Sequence, residues 1–207
     1  MNRVIVCCLL VVLTVLPSCI KDDHTDSEPT FPSRTVLIYM AGDNSLSGET
    51  AQKIEALRRG WQWTGNKCLV YVDTPEGARL LRLRGGCQVT PEAYVETVRE
   101  YGAENSASAE TFARVLREVA AEYPADSYGL IFFSHASGWL PAGALQNPAP
   151  RSRSVGVDDG DAGHAEMDIA EFAAAIPGGM FDFIVFETCL TAGVEVAYEL
   201  RGKSDYM

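Results

Sequence analysis

The chain has 207 residues, 47% of them hydrophobic and 22% charged, with a formal net charge of −11 at pH 7. Seventeen Lys and Arg against 28 Asp and Glu, with no basic cluster, argue against a nucleic-acid partner. The length suffices for one α/β domain with a real core once the N-terminal segment is set aside.

That segment opens on Met1-Asn2-Arg3 and runs through an apolar stretch from Val4 to Leu16. The stretch is short for a membrane span and suits a signal peptide over residues 1–18. Leu16-Pro17-Ser18-Cys19 resembles the lipobox of bacterial lipoproteins, which makes Cys19 the expected lipid acceptor and a lipid anchor the expected link to a membrane. Lys21-Asp22-Asp23 resembles an acidic export tag, so the expected location is the outer membrane or the cell surface. Residues 19–33 are polar with two prolines and are expected to be a flexible tether, leaving 34–207 as the folded domain.

Arg34 to Met40 is a strong first strand, ended by Ala41-Gly42-Asp43-Asn44. Ile54, Leu57 and Trp61 recur at helical spacing and predict a helix over Glu49 to Arg59. Cys68 to Val72 is a second strand stopped by Asp73-Thr74-Pro75, and Ala78 to Arg84 predicts an antiparallel strand or hairpin arm. The pattern from Thr111 to Ala120 predicts an amphipathic helix over 109–122. Gly129 to Ser134 and Phe181 to Thr188 are continuous apolar runs, the signature of strands buried on both faces of a parallel sheet. Between them, Leu140 to Gly163 is a long polar insertion, expected to be functional or disordered loop, and Ile169 to Ile176 a short helix. Ala192 to Leu200 is a further helix, and Ser204 to Met207 the approach to another strand. The alternation predicts a three-layer α/β/α sandwich with a mainly parallel sheet.

The two buried strands lead into His135 and Cys189, 54 residues apart. Functional groups in such sheets cluster just beyond the carboxyl ends of the strands, and a thiol beside an imidazole has the makings of a nucleophile. Taken singly, His135 is also explained as a solvated strand-end residue and Cys189 as a small hydrophobe. Their shared position is harder to explain that way. Cys68 and Cys87 are the remaining cysteines of the folded part, and a bridge between them is not expected.

Three blocks carry a resemblance: Tyr39-Met40-Ala41-Gly42-Asp43-Asn44-Ser45-Leu46, Ser134-His135-Ala136-Ser137-Gly138-Trp139, and Glu187-Thr188-Cys189-Leu190 followed by Glu195 to Leu200. Together they resemble the clostripain family of cysteine peptidases, in the caspase-like clan, from about Arg34 to the last residue. The resemblance implies a caspase-like sheet, peptide or protein substrates, His135 as general base and Cys189 as nucleophile. It implies an oxyanion hole from the backbone N–H groups of Ala136 and Cys189, although the family usually has Gly at the position of Ala136. It further implies cleavage after Arg or Lys, with Glu187 in the substrate pocket where the family commonly carries Asp, and self-processing at Arg151 or Arg153. No organic cofactor is implied, and a calcium response is implied only because some members show one.

No metal ligands are assigned from the residues themselves. Asp158-Asp159-Gly160-Asp161 with His164 lacks the ligand order of an EF-hand loop and is expected to be a solvated acidic turn, and Asp43 is given no role. Because the chain ends where another strand is expected, the domain is expected to be incomplete at its C-terminus. The competing reading is a non-catalytic surface lipoprotein that binds proteins through the inherited cleft.

Overall fold

The computed structural model describes residues 33–62, 65–85, 93–138, 154–160 and 163–207. The signal peptide, Cys19 and the tether up to residue 32, Cys87, Trp139, Arg151 and Arg153 lie outside the described residues. The elements are β1 (Arg34–Ala41), α1 (Ser47–Gly60), β2 (Lys67–Asp73), β3 (Ala78–Arg84), β4 (Tyr94–Gly102), α2 (Ala109–Glu122) and β5 (Ser127–Phe133). They continue with β6 (Ser154–Asp158), β7 (Ala165–Asp168), α3 (Ile169–Ala175), β8 (Phe181–Glu187), α4 (Val194–Glu199) and β9 (Ser204–Tyr206).

Seven strands form one sheet in the order β4-β3-β2-β1-β5-β8-β9, and β6 pairs with β7 in a separate two-stranded sheet. The pairs β1–β2, β1–β5, β5–β8 and β8–β9 are parallel, whereas β3 and β4 extend the sheet antiparallel. From β1 the chain builds outward through β2 to one edge, then returns through α2 to β5 on the other side of β1. Strand order reverses between β1 and β5, the place where sheets of this kind open a crevice.

Alternate residues of the central strands feed the two faces. Leu37, Tyr39 and Ala41 join Phe112, Val115 and Leu116 of α2 and Phe172 of α3 on one side. Ile38 and Met40 join Val70, Val72 and Phe133 on the other, under Ile54, Leu57 and Trp61. On the α2 face an aromatic row crosses three strands, with Tyr71 stacked on Tyr39 at 4.3 Å and Tyr39 on Phe132 at 5.3 Å between ring centroids. Register places these rings side by side, Tyr71 opposite Tyr39 and Tyr39 opposite Phe132. Phe112 and Phe172 close over the row, Phe172 meeting Phe132 edge-on at 5.1 Å. Offset and edge-on pairs of this kind add about 0.5–1.5 kcal/mol each beyond the area they bury. The row lies just inside the carboxyl ends of the strands and forms a rigid floor for the loops above.

The predicted helices appear with their ends displaced by no more than two residues, and Ala78–Arg84 is antiparallel as expected. Two expectations change. The insertion is not loop throughout, because five residues in its second half, Ser154–Asp158, form β6, and all five are buried. Nor is Asp158 solvated: it is 2% exposed.

Candidate active site

β5 and β8 are neighbours whose last register pair is Phe133 with Glu187. His135 and Cys189 each stand two residues beyond that pair, just past the carboxyl ends of two adjacent parallel strands. Cys189 is an exposed free thiol, while Cys68 is free and buried inside β2. Burial pushes the Cys68 thiol up to about 12, which leaves it inert at neutral pH.

The residues around His135 are held by a strand that the sequence did not reveal. Gly156 N–H donates to the His135 carbonyl at 3.0 Å and Ser137 N–H donates to the Ser154 carbonyl at 3.2 Å. Ala136 and Val155 therefore face each other as an antiparallel bridge, and the Ala136 N–H stays outside that pairing. Beneath the bridge, the Ser134 hydroxyl donates to the Ala41 carbonyl at 2.7 Å and accepts from Val157 N–H at 3.0 Å. One buried hydroxyl thus ties the ends of β1, β5 and β6 together.

The turn after β1 reaches over to the imidazole. Asn44 Nδ2 donates to the carbonyls of Ala41 and Val157, at 3.0 and 2.7 Å. This fixes the position of the next residue, Ser45, whose Oγ lies 2.7 Å from His135 Nε2. Ser45 belongs to a block singled out in the sequence, yet only the fold shows what it touches.

On the other side, Leu190 holds φ at +59°, a left-handed conformation that costs a non-glycine residue about 1–2 kcal/mol. Gly138 packs directly against it: a Cβ at Gly138 would fall 2.1 Å from the Leu190 carbonyl oxygen. Thr188 and Thr191 hydroxyls meet at 2.9 Å across the same turn. The backbone on both sides of Cys189 is thereby set against the backbone that follows His135.

Glu187 is exposed and accepts a hydrogen bond from Lys53 Nζ of α1 at 3.2 Å. The same ammonium sits 4.6 Å from the centroid of the Phe133 ring. The carboxylate is engaged by a basic side chain of the chain itself, a partner that spacing alone does not predict.

A third group of side chains lies along the same edge. Asp43, Asp73 and Asp158 each place a carboxylate oxygen within 4.8 Å of the other two. Burial lifts the Asp73 carboxyl to about 7, and the charges of Asp158 and Asp43 push the same way. A partial signal was present in the sequence, since Asp43 and Asp73 each close a strong strand. Asp158 joins them only because β6 folds back.

Among the described residues no helix is long and apolar enough to cross a membrane. No curated protein matches the chain. The model of the clostripain family, peptidase C11, matches residues 38–207, from the middle of β1 to the last residue. A secreted C11 cysteine protease from Bacteroides thetaiotaomicron, solved with an irreversible peptide inhibitor, is 36% identical with a TM-score of 0.71. The match covers 85% of this chain and 48% of that one. An inactive zymogen C11 protease from Parabacteroides distasonis is 34% identical with a TM-score of 0.68, over 84% of this chain and 47% of its own. This chain therefore spans about half the length of these solved relatives. The family match over most of the chain, with the likeness of fold to both structures, carries one conclusion: the chain belongs to the clostripain family.

Proposed function

We propose that this chain carries the His–Cys half of a cysteine endopeptidase that cleaves after Arg or Lys. The observation that carries the reading is the paired exit of His135 and Cys189 from adjacent strands, each two residues beyond the Phe133–Glu187 pair. Ser45 engages Nε2 and so leaves Nδ1 of the imidazole to serve the thiol. The Cys189 proton passes to His135 as sulfur attacks the scissile carbonyl carbon, and the carbonyl oxygen takes the negative charge. The Ala136 N–H, which the β6 pairing leaves out, and the Cys189 N–H are the donors proposed for that oxyanion. Collapse breaks the C–N bond, and the departing amine takes the proton from the imidazolium. Water then attacks the thioester with His135 as base, releasing the acid and restoring the thiol.

Specificity in this reading rests on Glu187, whose carboxylate already binds one ammonium, that of Lys53. A substrate Arg or Lys displaces Lys53 from it. Arg151 and Arg153 are the proposed sites of self-processing between the two catalytic residues, and Cys19 the proposed lipid acceptor of an exported, surface-anchored form. The Bacteroides thetaiotaomicron relative solved with the peptide inhibitor is a secreted protein, which agrees with export.

The test is labelling of the full chain by a peptidyl-arginine chloromethyl ketone, read by intact mass beside Cys189→Ala. A single adduct that disappears in the variant, with a cut after Arg151 or Arg153, is expected. A folded chain that takes no adduct overturns the reading in favour of a binding protein without catalysis.

A further inference from the structure

The first described residue, Ser33, is held firmly at the amino edge of the sheet. Its N–H and Oγ donate to Asp126 Oδ2 at 2.7 and 3.0 Å. Its carbonyl accepts from the N–H groups of Asp126 and Ser127 at 3.1 and 3.2 Å. Asp126 and Ser127 also line an open cavity of about 540 Å³. The apolar lining comes from Ala113, Leu116 and Ala120 of α2, Tyr128 of β5, and Pro177 and Met180 ahead of β8. Leu116 is buried, and Tyr128 and Met180 are partly buried against the same core. Of the charged groups at the rim, Asp182 is paired with Arg34 and Asp126 is engaged by Ser33, whereas Arg117 makes no ion pair among the described residues.

Glu28-Pro29-Thr30-Phe31-Pro32 leads directly into Ser33. Phe31 is the only aromatic residue between Cys19 and Ser33, and a ring of that size gains free energy by leaving water. Each proline biases the residue before it, Glu28 and Phe31, towards extended backbone. Alternate residues of an extended chain share a face. Thr35 lies on the α2 side, where its hydroxyl donates to the Tyr123 carbonyl at 3.0 Å, and the Ser33 hydroxyl meets Asp126 beside the cavity. Continued backwards, the alternation carries Phe31 to that side. Two extended residues span about 7 Å, more than the roughly 4.8 Å between neighbouring strands, so the ring reaches the space beside Tyr128. The acidic residue behind it, Glu28, complements Arg117.

We propose that residues 28–32 of this chain seat in the cavity, with Phe31 filling it and Glu28 paired to Arg117. Residues 19–27 then remain as the tether, nine residues that extend to about 32 Å at most. The cavity opens at the amino edge, where β5 and β8 begin, and His135 and Cys189 stand beyond the opposite ends of those strands. A lipid anchor at Cys19 therefore holds the reactive edge turned away from the membrane. That consequence rests on the anchor proposed above, and the seating of Phe31 rests on neither the anchor nor the peptidase reading.

The test is the melting temperature of the full chain and its variants by calorimetry. Phe31→Ala is expected to lower it by roughly 3–10 °C, and Phe31→Leu by less than half as much. Thr30→Ala, on the other face of the segment, is expected to melt as the parent does. Met180→Ala loses stability of its own, and Phe31→Ala combined with it is expected to lose less than the two single losses added, because both remove one shared contact. Arg117→Ala and Glu28→Gln, both at the surface, are expected to cost at most about 3 °C each at low salt, and no more together than singly. That second pair keeps the proposal refutable should Met180→Ala fail to fold. A Phe31→Ala chain that melts within about 1 °C of the parent overturns the proposal, as does full additivity in either pair. A Phe31→Ala loss that grows with chain concentration overturns it as well, by placing the segment in a second copy.

Discussion

Replacing Gly138 by alanine tests whether the loop after His135 sets the position of Cys189. Gly138 has φ of +63°, so alanine pays about 1–2 kcal/mol for the backbone alone. Its Cβ then meets the Leu190 carbonyl oxygen at 2.1 Å and the carbonyl carbon at 2.8 Å, where real contacts essentially never fall below 3.0 Å. Roughly 1 Å must open between two backbone segments, one following His135 and one following Cys189. A displacement of about 1 Å between reacting groups costs on the order of 10²-fold in rate, near 3 kcal/mol. Gly179→Ala supplies the control: Gly179 has the same φ of +63° with nothing within 4 Å of its Cβ. The assay is the second-order rate of labelling by the arginine chloromethyl ketone, with melting temperature measured on each variant. Gly179→Ala should lose a little stability and label at the parent rate, and Gly138→Ala should label about 100-fold more slowly. Parent-like labelling and stability for Gly138→Ala would refute the idea that this contact fixes the thiol.

Other perturbations give equally specific outcomes. Ser45→Ala should slow labelling about tenfold with little change in melting temperature, and Ser45→Thr should recover most of it, because what is lost is a hydrogen bond to one ring nitrogen. Lys53→Met should strengthen binding of an arginine probe by no more than about fivefold, since a half-exposed pair contributes at most about 1 kcal/mol; a drop in affinity would show that Lys53 helps bind substrate instead. Iodoacetamide at pH 8 should modify Cys189 in the native chain and leave Cys68 untouched until denaturant is added, as peptide mapping would show. The folded Cys68 value lies above the unfolded value of 9.0, so its contribution is intact below pH 9 and falls as pH rises towards about 12; a denaturant midpoint flat across that range would contradict it. Phe132→Ala, at 0% exposure in the aromatic row, should cost about 3–5 kcal/mol and lower the melting temperature by roughly 6–20 °C in calorimetry.

The central strands and the shared exit of His135 and Cys189 beyond two of them were legible because their signals are local. A buried parallel strand is a continuous apolar run, and His135 and Cys189 follow two such runs directly. β4 was missed for the opposite reason: it is an edge strand with Glu96, Arg99 and Glu100 among its residues and Tyr94 58% exposed, so no apolar run marks it. β6 was concealed by composition, since five residues containing Gly156 and ending in Asp158 at the tail of a proline-bearing insertion resemble loop. What buries them is the company of Met167 on the next strand and of Phe132 and the His135 backbone, the last two remote in sequence. The same remoteness hid Lys53 opposite Glu187 and the meeting of three aspartates. Chemistry carried at the end of a single apolar strand was visible; chemistry made by the meeting of elements far apart in the chain was not.

The clamp between β6 and the His135 segment has a topological consequence. Ser137 and Ser154 are bonded through the Ser137 N–H and again between their hydroxyls at 2.6 Å, although 17 positions separate them along the chain. The peptide bonds between those two serines close a circuit that hydrogen bonds already close. Scission anywhere within that circuit severs the polymer while the serine pair, the Ala136–Val155 bridge and the Ser134 junction persist. A nick between the two serines changes how many chains the molecule comprises while these contacts still hold the His135 segment where it stands.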